Sequence, residues 1–236
     1  MSEASRAAGR QRGFDQQQVL DRAMKLFWRS GYEGTSVDEF LAATGTMRAN
    51  FLATYSDKEG LFRAVVAQYV AGPGSYVQRS LEQPQAADAI RTLLLDAAAA
   101  FTSSERPPGC LVVHGALASG DEGATARDLL LGQRLTWQTA IRARLERGVA
   151  DGDMPGETAP VIIAEYVMTV LNGMAVQALA GADGSVLTTV AELTLLALGV
   201  SEPVPAGPKK RGRAPAGLSS KRTKSEGLLG QLVMDL

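Results

Sequence analysis

Wherever apolar residues recur along this 236-residue chain, they recur every three or four positions, the spacing of one face of an α-helix. Val19, Ala23, Leu26 and Phe27 mark a first helix, with Asp15 placed as its N-cap and Gly31 as its stop. Thr35 and Ser36 stand ahead of a short second helix, 37–44, whose inner face is Val37, Phe40 and Leu41, and Gly45 ends it. A polar stretch at 46–54 follows, and Asp57 then caps a longer helix carrying Leu61, Phe62, Val65, Val66 and Tyr69. After Gly72-Pro73-Gly74 the helices become Ala- and Leu-rich, at 76–82, 86–104, 109–119, 124–150, 158–181 and 185–199. Pro and Gly punctuate them at Pro84, Pro107-Pro108, Gly120, Gly152 with Pro155, and Gly181 to Gly184. No segment alternates with the period of two that a half-buried strand needs, so the predicted class is all-α.

Composition narrows the function classes. The chain is 45% apolar and 21% charged, ordinary for a globular protein. Its apolar runs are read as too short for a membrane span, and residues 1–13 lack a signal-peptide core, so no membrane partner and a cytoplasmic location are expected. The one cysteine, Cys110, rules out an internal disulfide framework, and with the one histidine, His114, gives no His/Cys metal cluster. No nucleophile–base motif or phosphate-binding glycine loop occurs, so neither an enzyme nor a cofactor is expected. Net charge is −1 overall but unevenly placed. Residues 1–63 carry nine basic and eight acidic side chains, 64–204 eight and fifteen, and 205–236 seven and two. Basic ends flanking an acidic middle favour nucleic-acid contact at the ends.

Residues 13–62 read "GFDQQQVLDRAMKLFWRSGYEGTSVDEFLAATGTMRANFLATYSDKEGLF". Leu-Phe-x-x-x-Gly-Tyr-x-x-Thr-Ser-Val at 26–37, Thr-Gly at 44–45 and Asp-Lys-Glu-x-Leu-Phe at 57–62 resemble the helix-turn-helix domain of the tetracycline-repressor (TetR) family. The resemblance implies an all-α homodimer with an N-terminal three-helix DNA-reading domain and a C-terminal ligand-binding and dimerisation domain. On that scheme 1–13 is a flexible basic arm, 14–62 the helix-turn-helix domain, 63–200 the C-terminal domain and 201–236 a basic, Pro/Gly-rich disordered tail. The expected recognition stretch is 46–54, with Phe51 and Tyr55 anchoring its inner side. Its outer side offers Met47, Arg48 and Asn50. Position in the motif implies phosphate contacts from Thr35, Thr54 and Lys58, with Ser36 in the same set and Arg10 and Arg12 reaching DNA from the arm. One residue departs from the pattern: Leu52 stands where the family usually has a tyrosine whose hydroxyl reaches a phosphate. Leucine either forgoes that contact, meets a thymine methyl, or packs inside. In the tail, seven basic residues between 209 and 224, including Arg211-Gly212-Arg213, would add non-specific DNA affinity.

The C-terminal half is less explicit. Cys110 and His114 lie four apart at a helix start near Arg106, so the thiol is either a low-pKa sensor or a small core residue. Trp137, Tyr166 and Met174 are further ligand candidates, and Val161, Tyr166, Val170, Met174 and Leu195 are candidates for a four-helix dimer interface. The function expected is a transcriptional regulator, a repressor released from a palindromic operator by a small molecule, an electrophile or an oxidant. The competing expectation is an architectural DNA-binding protein working through its basic arm and tail. The partners expected are double-stranded DNA, a small-molecule inducer and a second copy of the chain.

Overall fold

The computed structural model describes residues 3–117, 123–154 and 159–200, with side chains from residue 16 onward and those of 116 and 117 excepted. The side chains of Arg10 and Arg12 and the whole of 201–236, where the arm contacts and basic tail were expected, lie outside the described residues. Ten helices and no strand occur among the described residues. They are α1 Glu3–Ser30, α2 Val37–Thr44, α3 Arg48–Tyr55, α4 Lys58–Ala71, α5 Tyr76–Leu81, α6 Ala86–Phe101, α7 Leu111–Leu117, α8 Ala124–Asp151, α9 Pro160–Leu179 and α10 Gly184–Ala197.

Three helix starts are fixed by side-chain caps, two of them, Ser36 and Asp57, at residues expected from the sequence. Ser36 accepts the Glu39 N–H at 3.0 Å, Asp57 accepts the Gly60 N–H at 2.7 Å, and Asp183 accepts those of Ser185 and Val186. Each such cap contributes about 1 kcal/mol. The first helix departs from expectation. It starts at Glu3, so Asp15 lies inside it and residues expected as an arm continue it. Ala and Arg in 3–12 are strong helix formers, and their summed propensity offsets Gly9 and Gly13.

α1 packs along α4 through aromatic contacts: Phe27 on Phe62 with centroids 5.0 Å apart, and Trp28 edge-on to Tyr69 at 4.9 Å. α4 runs through the expected boundary at 62–63 and goes on to contact α7 and α8. Between α1 and α2, Glu33 accepts the N–H of Gly123 at 2.8 Å, joining that turn to the start of α8. α6 lies under α5, α9 and α10, and α8 packs between α7 and α9.

Contrary to the sequence expectation, one helix among the described residues, α9, is long and apolar enough to cross a bilayer. One side of it is packed inside: Ala164, Val167, Met168, Leu171, Met174, Ala175 and Ala178 are buried against the rest of the chain.

Candidate functional site

α3 is eight residues long and keeps two of them inside. Phe51 is 2% and Tyr55 9% exposed, and both rings pack on Phe40 of α2, with centroids 5.6 and 6.4 Å away. Every other α3 side chain is exposed: Arg48, Ala49, Asn50, Leu52, Ala53 and Thr54. With Met47 at 67% and Leu52 at 50% exposure, two sizeable apolar side chains face outward from a helix that has only two anchors. Leu52 therefore does not pack inside.

The turn ahead of α3 sets its direction. Gly45 takes φ 72°, a left-handed conformation that ends α2, and donates its N–H to Leu41 at 2.9 Å. A Cβ at Gly45 would meet nothing within 4 Å, so the backbone angle, not crowding, selects glycine. Thr44 donates to the Phe40 carbonyl at 2.8 Å and its oxygen accepts the Thr46 N–H at 3.3 Å. Met47 supplies no side-chain cap, which leaves the first N–H groups of α3 pointing outward without one. Arg48 pairs with Asp38 of α2, a pair exposed on both sides and worth little in water.

The α3–α4 junction is tighter than its sequence suggests. Ser56 has φ 67° and ψ −51°, and Asp57 donates its N–H to the Tyr55 carbonyl at 2.8 Å, making a strained three-residue γ-turn. A Cβ at Gly60 would lie 2.0 Å from the Tyr55 carbonyl oxygen, so only glycine lets α4 start this close to α3. At that start the Lys58 ammonium sits 4.4 Å from the centre of the Tyr32 ring.

Thr35 calls for a correction. Expected on a phosphate, it is 1% exposed, and its hydroxyl donates to the Gly31 carbonyl at 2.9 Å. It fastens the α1–α2 turn from inside. Ser36 is exposed, and its oxygen is engaged as the α2 cap.

In the C-terminal part, Cys110 and Trp137 come together around one interior cavity, while Tyr166, Met174 and His114 do not line it. Its other walls include Tyr76, Phe101, Ile141, Met168 and Leu171, and its volume is about 10 Å³, close to that of one water molecule. Cys110 is fully buried and its sulfur accepts the Tyr69 hydroxyl at 3.2 Å. Burial pushes the thiol pKa up, outweighing the Tyr69 hydroxyl, the Val113 and Val112 amides and the positive charge of Arg134. The sulfur at rest is thus a protonated thiol, and the cation that acts on it is Arg134 of α8, not the expected Arg106. Burial also raises the Tyr69 and Tyr76 phenols well above their ordinary value.

His114 turns away from Cys110 toward α9, its Nε2 lying 3.1 Å from the Ala175 carbonyl. Desolvation lowers its pKa, so the ring is neutral with Nε2–H donating. Gly109, at φ 79°, makes room for it: a Cβ there would lie 2.0 Å from His114 Cε1.

Of the expected interface residues, Val161 and Tyr166 are exposed and Val170 is half-buried. Met174 and Leu195 are a correction, being buried in this chain's own core. Ile162, Leu179, Val186, Val190, Leu193 and Leu196 are exposed in addition. Helices as uniformly apolar as α9 and α10 show no stripe that tells the two faces apart in advance. Sequence reasoning also missed a buried clamp at the far end of α8. Arg144 donates to the Pro84 carbonyl at 2.8 Å and the Gln83 carbonyl at 3.2 Å, and pairs with Asp153 at 3.4 Å. Asp153 in turn accepts the Ala86 N–H at 3.0 Å. No residue spacing signals a contact made through a glycine turn.

Comparison with known proteins agrees with this geometry. Residues 19–65 match the model "Bacterial regulatory proteins, tetR family", and residues 88–193 match "Tetracyclin repressor-like, C-terminal domain". A solved structure of the TetR family regulator CifR, a cysteine mutant complexed with 26-bp operator DNA, is 37% identical. That alignment covers 77% of this chain and 95% of CifR, with a TM-score of 0.73. The transcriptional repressor ComR of Escherichia coli K12 is 29% identical over 80% of this chain and 91% of its own length. The repressor AcnR of Corynebacterium glutamicum is 26% identical over 79% and 94%.

Proposed function

This chain belongs to the tetracycline-repressor family of bacterial transcriptional regulators, and from that membership we propose that it is a cytoplasmic, non-enzymatic repressor acting as a homodimer on a near-palindromic operator. The observation that carries the reading is the bare outer side of α3, held from behind by Phe51 and Tyr55 alone. A helix so short and so thinly anchored has a whole face left for the major groove. Arg48 and Asn50 read base edges, with Arg48 exchanging Asp38 for DNA, while Met47 and Leu52 meet apolar groups such as thymine methyls. Thr54, Ser36, Lys58 and the uncapped N–H groups of α3 hold phosphates. The repression of target genes by ComR and AcnR and the operator complex of CifR support the same role here.

Release follows from occupation of the C-terminal part by a small molecule. Cys110, Tyr69 and Trp28 form a chain of contacts from the interior cavity through α4 to α1. A ligand that favours a different placement of α4 shifts the dimer to a form whose two α3 helices no longer fit successive grooves. The buried thiol favours a bound ligand over an electrophile or oxidant as the signal, since reaction requires a thiolate.

Selection of random duplexes by the full-length protein, with competitor DNA at physiological salt, tests the reading. The expected result is a two-fold symmetric site lost on Arg48→Ala and Asn50→Ala. Binding with no sequence preference would instead identify an electrostatic, architectural protein.

A further inference from the structure

The interior cavity adjoins a second, more polar hollow in the groove between α8 and α9, and Met168 and Asn172 belong to both. The inner space is apolar, between Tyr76, Trp137, Ile141 and Leu171. The outer one, about 280 Å³, is lined by Arg134, Gln138, Glu165 and Thr169.

Arg134 is half-buried on α8. Its Nε is buried and has no hydrogen-bond partner, and the guanidinium makes no ion pair among the described residues. A buried N–H of a charged group is costly to leave unsatisfied. The fully buried Arg144 also leaves its Nε and Nη1 without a partner, but its Nη2 is held by two carbonyls and a carboxylate, whereas Arg134 has no carbonyl or carboxylate among the described residues. Glu165, the carboxylate of the facing helix that lines the same hollow, accepts its hydrogen bond from Gln138. Arg134 lines the outer hollow together with Met168 and Asn172, the two residues that this hollow shares with the inner one.

We propose that the joined hollows bind a small amphipathic organic acid, its apolar body between Tyr76, Trp137 and Met168 and its carboxylate on Arg134. This rests on the reading of the chain as a ligand-responsive regulator and specifies the chemical class of that ligand. A guanidinium receives a carboxylate through two parallel hydrogen bonds, whereas an amide of the same shape leaves the charge unpaired. The inner space is too small for the apolar body as it stands, so entry moves Trp137 or Met168 and parts α9 from α8. Occupation is then felt at Cys110, which precedes α7 and holds the Tyr69 hydroxyl of α4.

Calorimetric titration of the full-length protein, without DNA, with benzoate, phenylacetate and hexanoate and with the three corresponding amides tests this. At least one acid is expected to bind about tenfold or more tighter than its amide. Arg134→Gln should abolish that preference by weakening the acid alone. Glu165→Gln, which removes the neighbouring negative charge, should strengthen acid binding and gives a second reading if Arg134→Gln does not fold. Binding of no probe, equal affinity for acid and amide, or a preference that survives Arg134→Gln would each overturn the proposal. With no DNA present, a failure of operator recognition leaves this result legible, and a failure here leaves the operator selection untouched.

Discussion

At the scale of single residues, the chemistry of the interior is set by burial more than by sequence neighbourhood. Cys110 and His114 are four apart, yet one bonds to α4 and the other to α9. His114 carries a measurable consequence. Its folded-state pKa is depressed by desolvation, so the unfolded chain binds the proton more readily. Stability from this residue is complete above the unfolded value of about 6.5 and is lost as pH falls from there toward the lower folded value. Thermal midpoints of the protein and of His114→Gln should therefore run together above about pH 7 and diverge below about pH 6.5, with the histidine protein falling faster. Parallel curves would mean that the ring titrates in the folded protein as it does in water. Thr35 and Gly60 teach the same lesson without charge: one is turned inward by a hydrogen bond to Gly31, the other is required by a carbonyl 2.0 Å from where its Cβ would be. Neither constraint is visible in a string of residues.

At the scale of elements, α3 is the most informative helix, because its outward residues are free of packing duty. Leu52 is exposed on that face where the family's pattern has tyrosine. If the face lies on DNA, Leu52→Tyr restores a hydroxyl donor to phosphate, a bond of about 1 kcal/mol in each protomer, and tightens operator binding by the dimer roughly thirtyfold. Since phosphates are common to all sequences, the gain should be equal on operator and random duplexes in a fluorescence-anisotropy titration. A change confined to the operator would show that Leu52 reads a base, and no change would place it off the DNA. Helix type and limits were legible here because Ser36, Gly45 and Asp57 are local signals acting within four residues. The γ-turn at Ser56 was not, because nothing in Ser-Asp marks a positive φ.

At the scale of the whole molecule, α9 and α10 leave a broad apolar surface uncovered, including Ile162, Tyr166, Leu193 and Leu196. Burying such a surface against a second copy follows from the hydrophobic effect and supports the dimer proposed. Leu193→Glu with Leu196→Glu should yield a folded monomer by analytical ultracentrifugation, with helical content retained and operator affinity reduced by about two orders of magnitude through lost bivalency. A variant that stays dimeric would move the interface elsewhere. The sequence by itself determined the all-α class and most helix limits to within about two or three residues, since caps, glycine stops and a period near 3.6 are read over a few residues. Only the tertiary structure decided which side of α9 and α10 faces inward, that Thr35 is buried, that Cys110 rests as a thiol on Tyr69, and that Arg144 is drawn inside onto two carbonyls and Asp153. Those outcomes depend on groups brought together from distant parts of the chain, and desolvation and hydrogen bonding act on distance in space, which residue order does not record.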